Sequence, residues 1–333
     1  MNRSGLFLII VILFFAILLV TPFIGSQSLD IEKVLQYLKG TETTDGIIFF
    51  RIRIPRIILS IITGASLSIA GVVFQALLRN PLATPYTLGV SAGSALGAVL
   101  MIKLGIAFSI FGFSSLQTAA FLCSLLTIFL IYMLARRNRR LSISTMILAG
   151  VTISYFFGAL ILFLHFLADF TETRQMIRWM MGGLDVIDLI LIWQSVPVLF
   201  VSYIVLFFQA KKLNILSSSD ETAWSKGVSV DQVRRIVFIF GSLITGWVVA
   251  ISGPIGFVGL IVPHFLRLLI GYDHRWLIPA SIFGGGAFLV LCDTIARTIL
   301  APVDIPVGII TAILGGPFFL WLLFKKKPAG SQF

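Results

Sequence analysis

Residues 51–79 read RIRIPRIILSIITGASLSIAGVVFQALLR, a basic stretch that leads directly into a long apolar one. It opens with three arginines in six residues, Arg51, Arg53 and Arg56. The run 57–78 that follows carries no charge. A helix needs about 20 predominantly apolar residues to cross a bilayer. The stretch therefore predicts a transmembrane helix with a basic cluster at its first end.

Apolar runs of this kind recur along the whole chain. Of its 333 residues, 58% are hydrophobic and only 12% are charged, whereas a soluble domain is usually about a quarter charged. We therefore predict an all-α polytopic membrane protein of about ten transmembrane helices, built as a single transmembrane domain over residues 1–333. The predicted helices lie at residues 6–25, 57–78, 82–102, 113–135, 142–166, 189–210, 236–252, 255–270, 277–296 and 306–324.

Two of these segments are interrupted by glycine and proline. The stretch 80–90 reads NPLATPYTLGV and follows the second helix, whereas the stretch 252–263 reads SGPIGFVGLIVP and follows the seventh. Broken helices are tolerated at membrane depth only where they face protein or a cavity. The second and seventh helices run in opposite directions in a ten-helix topology. The two stretches therefore predict broken helices and an inverted internal repeat.

The distribution of charge predicts which end of the bundle faces the cytosol. The net charge is +11, from 25 basic and 14 acidic residues, and cytoplasmic loops hold the excess of Lys and Arg in membrane proteins. With ten spans and the N-terminus inside, the clusters Arg136–Arg140 and Lys325–Lys327 both fall inside. We therefore expect a multi-pass protein of the cell (plasma or inner) membrane with cytoplasmic N- and C-termini.

This orientation places the arginines of residues 51–56 on the outer face, against the general rule. We infer that they bind an acidic partner that arrives from outside. The other basic residues cluster at the ends of apolar runs, as topology and anionic lipid head groups require. The sequence shows no basic helix and no basic face interleaved with aromatic residues. The lipid bilayer is therefore an expected partner, and nucleic acid is not.

The sequence has no motif for an energy source of its own. It lacks a G-x-x-x-x-G-K-[ST] phosphate loop, so energised transport would need ATP hydrolysis by another chain. A gradient-driven secondary transporter, the alternative, would need acidic or histidine relays in mid-membrane. Asp293 is a candidate, but Arg297 four residues later favours a structural ion pair. Cys123 and Cys292 lack metal-ligand spacing, so we predict no metal. The sequence also lacks an HExxH zinc motif, and together with the missing phosphate loop this predicts no cofactor and a transport subunit that is not itself an enzyme.

The polar segment 213–233 predicts a short helix between the sixth and seventh spans. Residues 218–221 read SSDE, the S-x-x-E form of a capping box, and Gly227 would end the helix. Residues 229–232 read SVDQ and repeat the form before the seventh span. A loop that only connects two spans needs no helix of its own. The segment is therefore either a docking element for a cytoplasmic partner or a solvated surface helix.

Two outer segments also predict short helices. Residues 26–50 contain the amphipathic piece Ile31–Leu38, and residues 167–188 contain the sequence WMMGG at 179–183. Aromatic and methionine side chains are common at the membrane interface. We expect an interfacial or re-entrant helix, or a structured loop at the head-group level, in each.

A series of motifs, taken in order, makes the chain resemble one family of membrane proteins. The motifs are Arg53-Ile-Pro-Arg56, Gly64-Ala-Ser-Leu-Ser-Ile-Ala-Gly71 with Gln75, Arg79-Asn-Pro-Leu-Ala-Thr-Pro85, Leu88-Gly-Val-Ser-Ala-Gly93, Gly253-Pro-Ile-Gly-Phe-Val-Gly-Leu-Ile-Val-Pro-His264 with Arg267, Asp293-Thr-Ile-Ala-Arg297, Ile305-Pro-Val-Gly308 and Gly315-Gly-Pro-Phe-Phe319. Each is weak alone, and their order is specific. From about residue 45 to residue 324 the chain resembles the permease subunits of type II ABC importers, which take up iron complexes and vitamin B12.

The resemblance implies an architecture, a set of partners and a class of cargo. Such permeases have ten spans and pair with a second permease subunit, as a homo- or heterodimer, around a central path. An extracytoplasmic solute-binding protein delivers the ligand, and an ABC ATPase subunit docks on the loop between spans six and seven. The implied cargo is an iron–siderophore or similar metal chelate, with vitamin B12 or haem as alternatives.

The resemblance also implies roles for particular residues. Docking of the binding protein is implied for Arg53, Arg56 and Arg297. Coupling to the ATPase is implied for Ser218, Ser219, Asp220, Glu221, Thr222, Ala223 and Gly227. A place on the translocation path or in its packing is implied for Gln75, Asn80, Pro81, Gly89, Pro254 and Gly256. Relatives commonly have Leu-Gly at the position of Ser218-Ser219, and this departure leaves the choice of ATPase open.

Overall fold

The structure, a computed structural model, describes residues 2–110, 112–137, 140–185 and 189–325. Within these ranges seven helices are long and apolar enough to cross a membrane, and three further apolar helices are shorter. Together they correspond to the ten predicted segments, so the all-α class and the count of about ten are confirmed. The three short ones are α5, α13 and α15, defined below, and two of these belong to the segments that the sequence predicts to be broken.

The ten apolar helices are joined by short helices and two small hairpins. The apolar helices are α1 (Arg3–Val20), α4 (Ile54–Leu77), α5 (Val90–Leu104), α6 (Ser115–Ala135), α7 (Ile143–Phe166), α9 (Leu189–Phe208), α12 (Val230–Ser252), α13 (Val258–Ile270), α14 (His274–Ala296) and α15 (Val307–Lys325). The connecting helices are α2 (Ile31–Leu38), α3 (Thr44–Ile47), α8 (Phe170–Met180), α10 (Ala210–Leu216) and α11 (Asp220–Ser225). The antiparallel hairpins are β1 (Ser109–Ile110) with β2 (Phe113–Ser114), and β3 (Arg136–Arg137) with β4 (Arg140–Leu141).

Both short outer helices are present where the sequence predicts them. Helix α2 has the predicted bounds, and the side chain of Asp30 caps its first turn. Helix α8 lies within residues 167–188, with Asp169 and Glu172 forming a reciprocal capping box. Of the two basic clusters that predict orientation, Arg139, Lys326 and Lys327 lie outside the described residues.

Helix α4 lies at the centre of the bundle, because glycines let its neighbours approach its backbone. It packs against α14, α13, α12 and α9. A Cβ on Gly64 would overlap the carbonyl of Gly285 in α14, and a Cβ on Gly71 would overlap the carbonyl of Gly259 in α13. Without an apolar driving force between helices in lipid, such close backbone contact is a main source of association. Gly64 and Gly71 therefore let α4 pack closely against α14 and α13.

The two interrupted stretches meet in the structure. The first contains a 3₁₀ turn, Pro85–Leu88, after which Gly89 at φ 76° begins α5. The second is the non-helical break between α12 and α13. Tyr86 joins them, because its hydroxyl donates to the carbonyl of Ile255 at 2.7 Å and accepts from the N–H of Ile255 at 2.9 Å. Irregular backbone is thus buried against protein, as membrane depth requires. The inverted repeat itself stays a prediction.

The second transmembrane helix begins earlier in the chain than the sequence predicts. We expected the second helix to open at residue 57, but the helix is continuous from Thr44 to Leu77. It passes through α3 and a π-helical turn, Ile48–Arg53, before α4. The π-helical turn occurs here because Pro55 has no N–H to donate to the carbonyl of Arg51, as an α-helix would require. The wider turn accommodates that loss, and such turns occur frequently at functional sites.

The contact between α4 and α14 gives a test of the packing. Gly64→Ala should lower the free energy of unfolding by about 1–3 kcal/mol, because the added methyl group forces the two backbones apart. Gly158→Ala in α7 is the matched control, since no atom lies within 4 Å of the added Cβ. The measurement is thermal unfolding of both purified variants. Equal melting temperatures for the two would contradict the close packing.

Candidate functional site

Three arginines surround a cavity at one end of the bundle. The cavity has a volume of about 300 Å³, and Arg53, Arg56 and Arg297 line it together with Gln27 and Asp304. Arg53 ends the π-helical turn, Arg56 lies in the first turn of α4, and Arg297 follows the last residue of α14. We call this site the arginine cavity. The three residues predicted to dock a binding protein are therefore brought together.

Arg56 is held by carboxylates from three different parts of the chain. Its Nε donates to Oδ1 of Asp293 at 2.8 Å, and its Nη1 donates to Oδ2 of Asp304 at 2.7 Å. The same Nη1 lies 3.8 Å from Oδ1 of Asp185. Asp293 also lies 3.5 Å from Nε of Arg297, which confirms the predicted pair four residues apart. The stronger partner of Asp293 is nonetheless Arg56.

The other two guanidinium groups bind backbone carbonyls at the end of α1. Arg53 donates to the carbonyls of Pro22, at 2.7 Å, and Gln27. Arg297 donates to the carbonyl of Thr21 at 3.0 Å. Among the described residues, no carboxylate lies within ion-pair distance of Arg53. Three guanidinium groups and three carboxylates, those of Asp293, Asp304 and Asp185, thus lie together at this end of the bundle.

The arginines are buried, which the sequence does not predict. Arg53, Arg56 and Arg297 are 5%, 8% and 6% exposed, whereas Arg51 is exposed. The motif suggested guanidinium groups that stand free for a partner. The structure instead shows groups that line a cavity and already make internal bonds, so an anionic side chain would have to enter the cavity to reach them.

The opposite end of the bundle carries the predicted coupling segment. Asp220, the first residue of α11, accepts from Arg79 at the end of α4. Its two carboxylate oxygens also accept from Nη2 of Arg234 in α12, at 2.9 and 2.8 Å. The Nε of Arg79 donates to the carbonyl of Leu216 at 2.9 Å. Charged bonds thus fix the coupling segment to two membrane helices.

The helix caps of this segment differ in part from the predicted ones. Ser219, not Ser218, caps α11, and its hydroxyl accepts from the N–H of Thr222 at 2.9 Å. The predicted Glu221 therefore makes no reciprocal capping bond. Ser229 does precede α12, but its side chain makes no capping bond. Gly227 ends the short helix at φ 73°, as predicted.

A second contact fixes the coupling segment to α14. Asn214 in α10 donates to Oδ1 of Asp273 at 2.7 Å, and its carbonyl oxygen accepts from the N–H of His274 at 2.9 Å. Asp273 caps α14, and hydrogen bonds from Arg275 hold the pKa of the Asp273 carboxyl well below its usual value. The two helices that reach the arginine cavity, α4 and α14, therefore also reach the coupling segment.

The length of α4 sets the distance between the two sites. Arg56 and Arg79 are 23 residues apart in the chain, which is about 35 Å along a helix at 1.5 Å per residue. The hydrocarbon core of a bilayer is about 30 Å thick. The arginine cavity and the coupling segment therefore lie on opposite sides of a membrane that this bundle spans.

The residues predicted on the path or in its packing lie around the two interrupted stretches. Gln75 donates to the carbonyl of Gly259 at 3.0 Å, and the side chain of Asn80 accepts from the N–H of Leu82 at 2.9 Å. A Cβ on Gly182 would overlap the carbonyl of Pro254. These contacts fit a packing role, and a place for Gln75, Asn80, Pro81, Gly89, Pro254 and Gly256 on the path stays a prediction.

The comparison with family descriptions decides the identity of the chain. The FecCD transport family matches residues 8–325. The chain belongs to this family. As a FecCD protein it is a membrane-spanning permease subunit of an ABC transporter. Such a subunit has no ATPase site of its own. The resemblance read from the motifs is therefore confirmed.

Individual relatives match the FecCD permease over nearly its whole length. It is 36% identical to the hemin transport system permease protein of Yersinia pestis over 318 residues, which cover 94% of this chain and 95% of the relative. It is 37% identical to the iron(3+)-hydroxamate import system permease protein of Bacillus subtilis (strain 168) over 326 residues, 96% of each. A solved ABC transporter of metal-chelate type, in an inward-facing conformation, has a TM-score of 0.83 at 31% identity and covers 97% of this chain and 100% of that chain.

Some residues of both sites are not predicted from the sequence. Asp304 and Asp185 approach Arg56 from loops that are distant in the chain, and only the position of Asp304 shortly after Arg297 could have suggested a contact. No pattern in the sequence indicates the bond of Arg234 to Asp220. Tyr86 gave no signal beyond its place between Pro85 and Gly89.

The bonds of Asp220 give a structural test of the coupling segment. Asp220→Asn should speed hydrogen exchange of the α11 amides by about tenfold or more, because charge-assisted bonds to Arg79 and Arg234 are each worth about 1.5–3 kcal/mol. Glu221→Gln is the matched control, since Glu221 is exposed. The measurement is hydrogen–deuterium exchange in nanodiscs. Unchanged exchange in the Asp220 variant would contradict the anchoring role.

Proposed function

We propose that this permease imports an iron–siderophore or similar metal-chelate ligand. A solute-binding protein docks at the arginine cavity on the outer face, and a separate ABC ATPase docks at α10 and α11 on the cytoplasmic face. The observation that carries the proposal is the pair of sites at opposite ends of α4 and α14. A transporter driven by two soluble partners needs one docking site on each side of the membrane.

The charge distribution supports this orientation. The coupling segment and the ends of α4, α12 and α13 beside it carry Arg79, Arg234, Arg235 and Arg267, and cytoplasmic faces are rich in such residues. The same orientation keeps both termini in the cytosol. It also gives the arginine cavity access to an acidic surface arriving from outside.

The nature of the cargo is supported by the relatives. One carries hemin in its name, another iron(3+)-hydroxamate, and the matching solved structure is of metal-chelate type. Hemin, iron(3+)-hydroxamate and metal chelates are all complexes of a metal with an organic ligand. Vitamin B12 belongs to the same chemical class and remains, with haem, the alternative cargo. A second permease subunit, identical or different, completes the path.

The cargo is tested by binding to the solute-binding protein encoded with this permease. We expect ferric siderophores to quench its intrinsic fluorescence at submicromolar concentration and to be taken up by vesicles that contain the permease and ATPase. Haem and cobalamin are the matched comparison ligands. Tight binding of cobalamin or haem, without binding of ferric siderophores, would contradict the siderophore proposal and favour the alternative.

Docking at the arginine cavity is tested by reversing the charge of Arg53. Arg53→Glu should reduce uptake by about tenfold or more, since desolvated charge pairs across an interface are worth several kcal/mol. Arg51→Glu is the matched control, because Arg51 is exposed and lies outside the cavity lining. Uptake is normalised to the amount of each variant in the membrane and to its ATP hydrolysis without binding protein, because a carboxylate at position 53 would face the carbonyls of Pro22 and Gln27.

Arg53 is a better position for this test than Arg56. Replacement of Arg56 would leave the buried carboxylate of Asp293 without its main partner, and breaking a buried pair in this way costs about 3–5 kcal/mol. Loss of uptake would then report loss of folding. Normal uptake by Arg53→Glu, at a normal level of protein, would contradict docking at this site.

A further inference from the structure

The three carboxylates around Arg56 differ sharply in exposure. The side chain of Asp293 is 1% exposed, whereas those of Asp304 and Asp185 are 46% and 51% exposed. Asp293 projects from the membrane helix α14. Asp304 lies on the loop between α14 and α15, and Asp185 lies on the segment that follows α8. Arg56 thus has one internal partner and two partners at the surface.

The exposure decides which of these partners can be exchanged. The bond from Arg56 to Asp293 is buried, so replacing Asp293 with water or with another group would be costly. The bond to Asp304 is half in water, and ion pairs of that kind are worth only about 1 kcal/mol or less. Asp185 is farther away, at 3.8 Å, and it also pairs with Arg178 at 3.2 Å. Asp304 is therefore the close partner that another carboxylate could replace.

Asp304 also occupies the position that a docking carboxylate needs. It lines the arginine cavity, where its Oδ2 is 2.7 Å from Nη1 of Arg56. A carboxylate entering the cavity would find Nε of Arg56 occupied by Asp293. It would also find Arg53 and Arg297 donating to backbone carbonyls. Nη1 of Arg56 is instead bonded to Asp304, a carboxylate that is itself 46% exposed.

We propose that Asp304 is an internal competitor for the carboxylate of the docking protein, and that it sets the affinity of docking by occupying Arg56 in the free permease. The inference rests on the proposed docking at the arginine cavity. When a partner carboxylate binds, Asp304 leaves Arg56 and the pair Arg56–Asp293 stays intact.

The exchange also reaches a membrane helix. The loop 298–306 connects α14 to α15, and the N–H of Ile305 next to Asp304 donates to the carbonyl of Ala296 at 3.1 Å. Release of Asp304 removes the side-chain bond that fixes this loop to α4. Docking would thus loosen the connection into α15 while leaving the contact between α4 and α14 in place.

The experiment measures binding of the solute-binding protein encoded with this permease to the permease–ATPase complex in nanodiscs, by surface plasmon resonance. Asp304→Asn removes the competing charge and keeps the side-chain volume. We expect its dissociation constant to fall by about three- to tenfold, as expected for loss of a half-exposed competing pair. Glu42→Gln, which removes one exposed acidic charge from the segment before Arg53, is the matched control and should change the constant less than twofold.

The outcomes separate this inference from the proposed docking. Tighter binding by Asp304→Asn, with little change in Glu42→Gln and loss of binding in Arg53→Glu, supports both. Unchanged or weaker binding by Asp304→Asn, while Arg53→Glu still loses binding, overturns the competitor and leaves docking in place. An equal gain in Asp304→Asn and Glu42→Gln also overturns it, because net charge alone would then explain the gain. Full binding by Arg53→Glu overturns the docking site and the competitor together.

Discussion

The ion pair between Arg56 and Asp293 is the interaction on which the arrangement of this permease depends. It joins α4 to α14 at one end of the bundle, with 2.8 Å between Nε and Oδ1. Removing either charge alone leaves the other buried and without its closest buried partner, at a cost of about 3–5 kcal/mol. The pair also fixes the register of the two helices. In this register Gly64 lies opposite Gly285, so the two backbones can pack closely. One charged contact and one glycine contact therefore specify the same alignment.

That alignment connects the two ends of the molecule. Helix α4 begins at the arginine cavity and ends two residues before Arg79, which binds the coupling segment through Asp220. Helix α14 runs between the same two regions, from His274 beside Asn214 to Arg297. A change at either end thus has two packed helices along which to act. The exchangeable contacts lie in the surface loops, whereas the contacts along the helices are buried.

Much of this fold could be predicted from the sequence, because apolar length is a strong signal in a membrane protein. The ten segments, the amphipathic helix at Ile31–Leu38 and the terminating Gly227 all depend on local patterns. The cap at Ser219 could not be separated from Ser218, since adjacent serines are equally good caps. The bonds of Asp220 to Arg79 and Arg234 join separate parts of the chain, so no local pattern predicts them.

The sequence predicted which arginines form the candidate site, but not that they are buried and bonded within the protein. The motif identified the arginines, but charged residues at a helix end are usually exposed, and nothing local shows that Asp304 folds back onto Arg56. That contact joins residues 248 positions apart, which a pattern along the chain cannot reveal. The same reasoning explains why Asp185 and the bridge from Tyr86 to Ile255 emerged only from the structure.

Import requires the arginine cavity to face outward and the coupling segment to face the cytosol, and cysteine accessibility tests this orientation directly. Arg51→Cys and Lys226→Cys, both at exposed positions, would be made in a protein whose Cys123 and Cys292 are replaced by alanine. In right-side-out vesicles, a membrane-impermeant maleimide should label the cysteine at position 51, and it should label the one at position 226 only after permeabilisation. Labelling of position 226 in sealed vesicles, with position 51 protected until permeabilisation, would contradict the account.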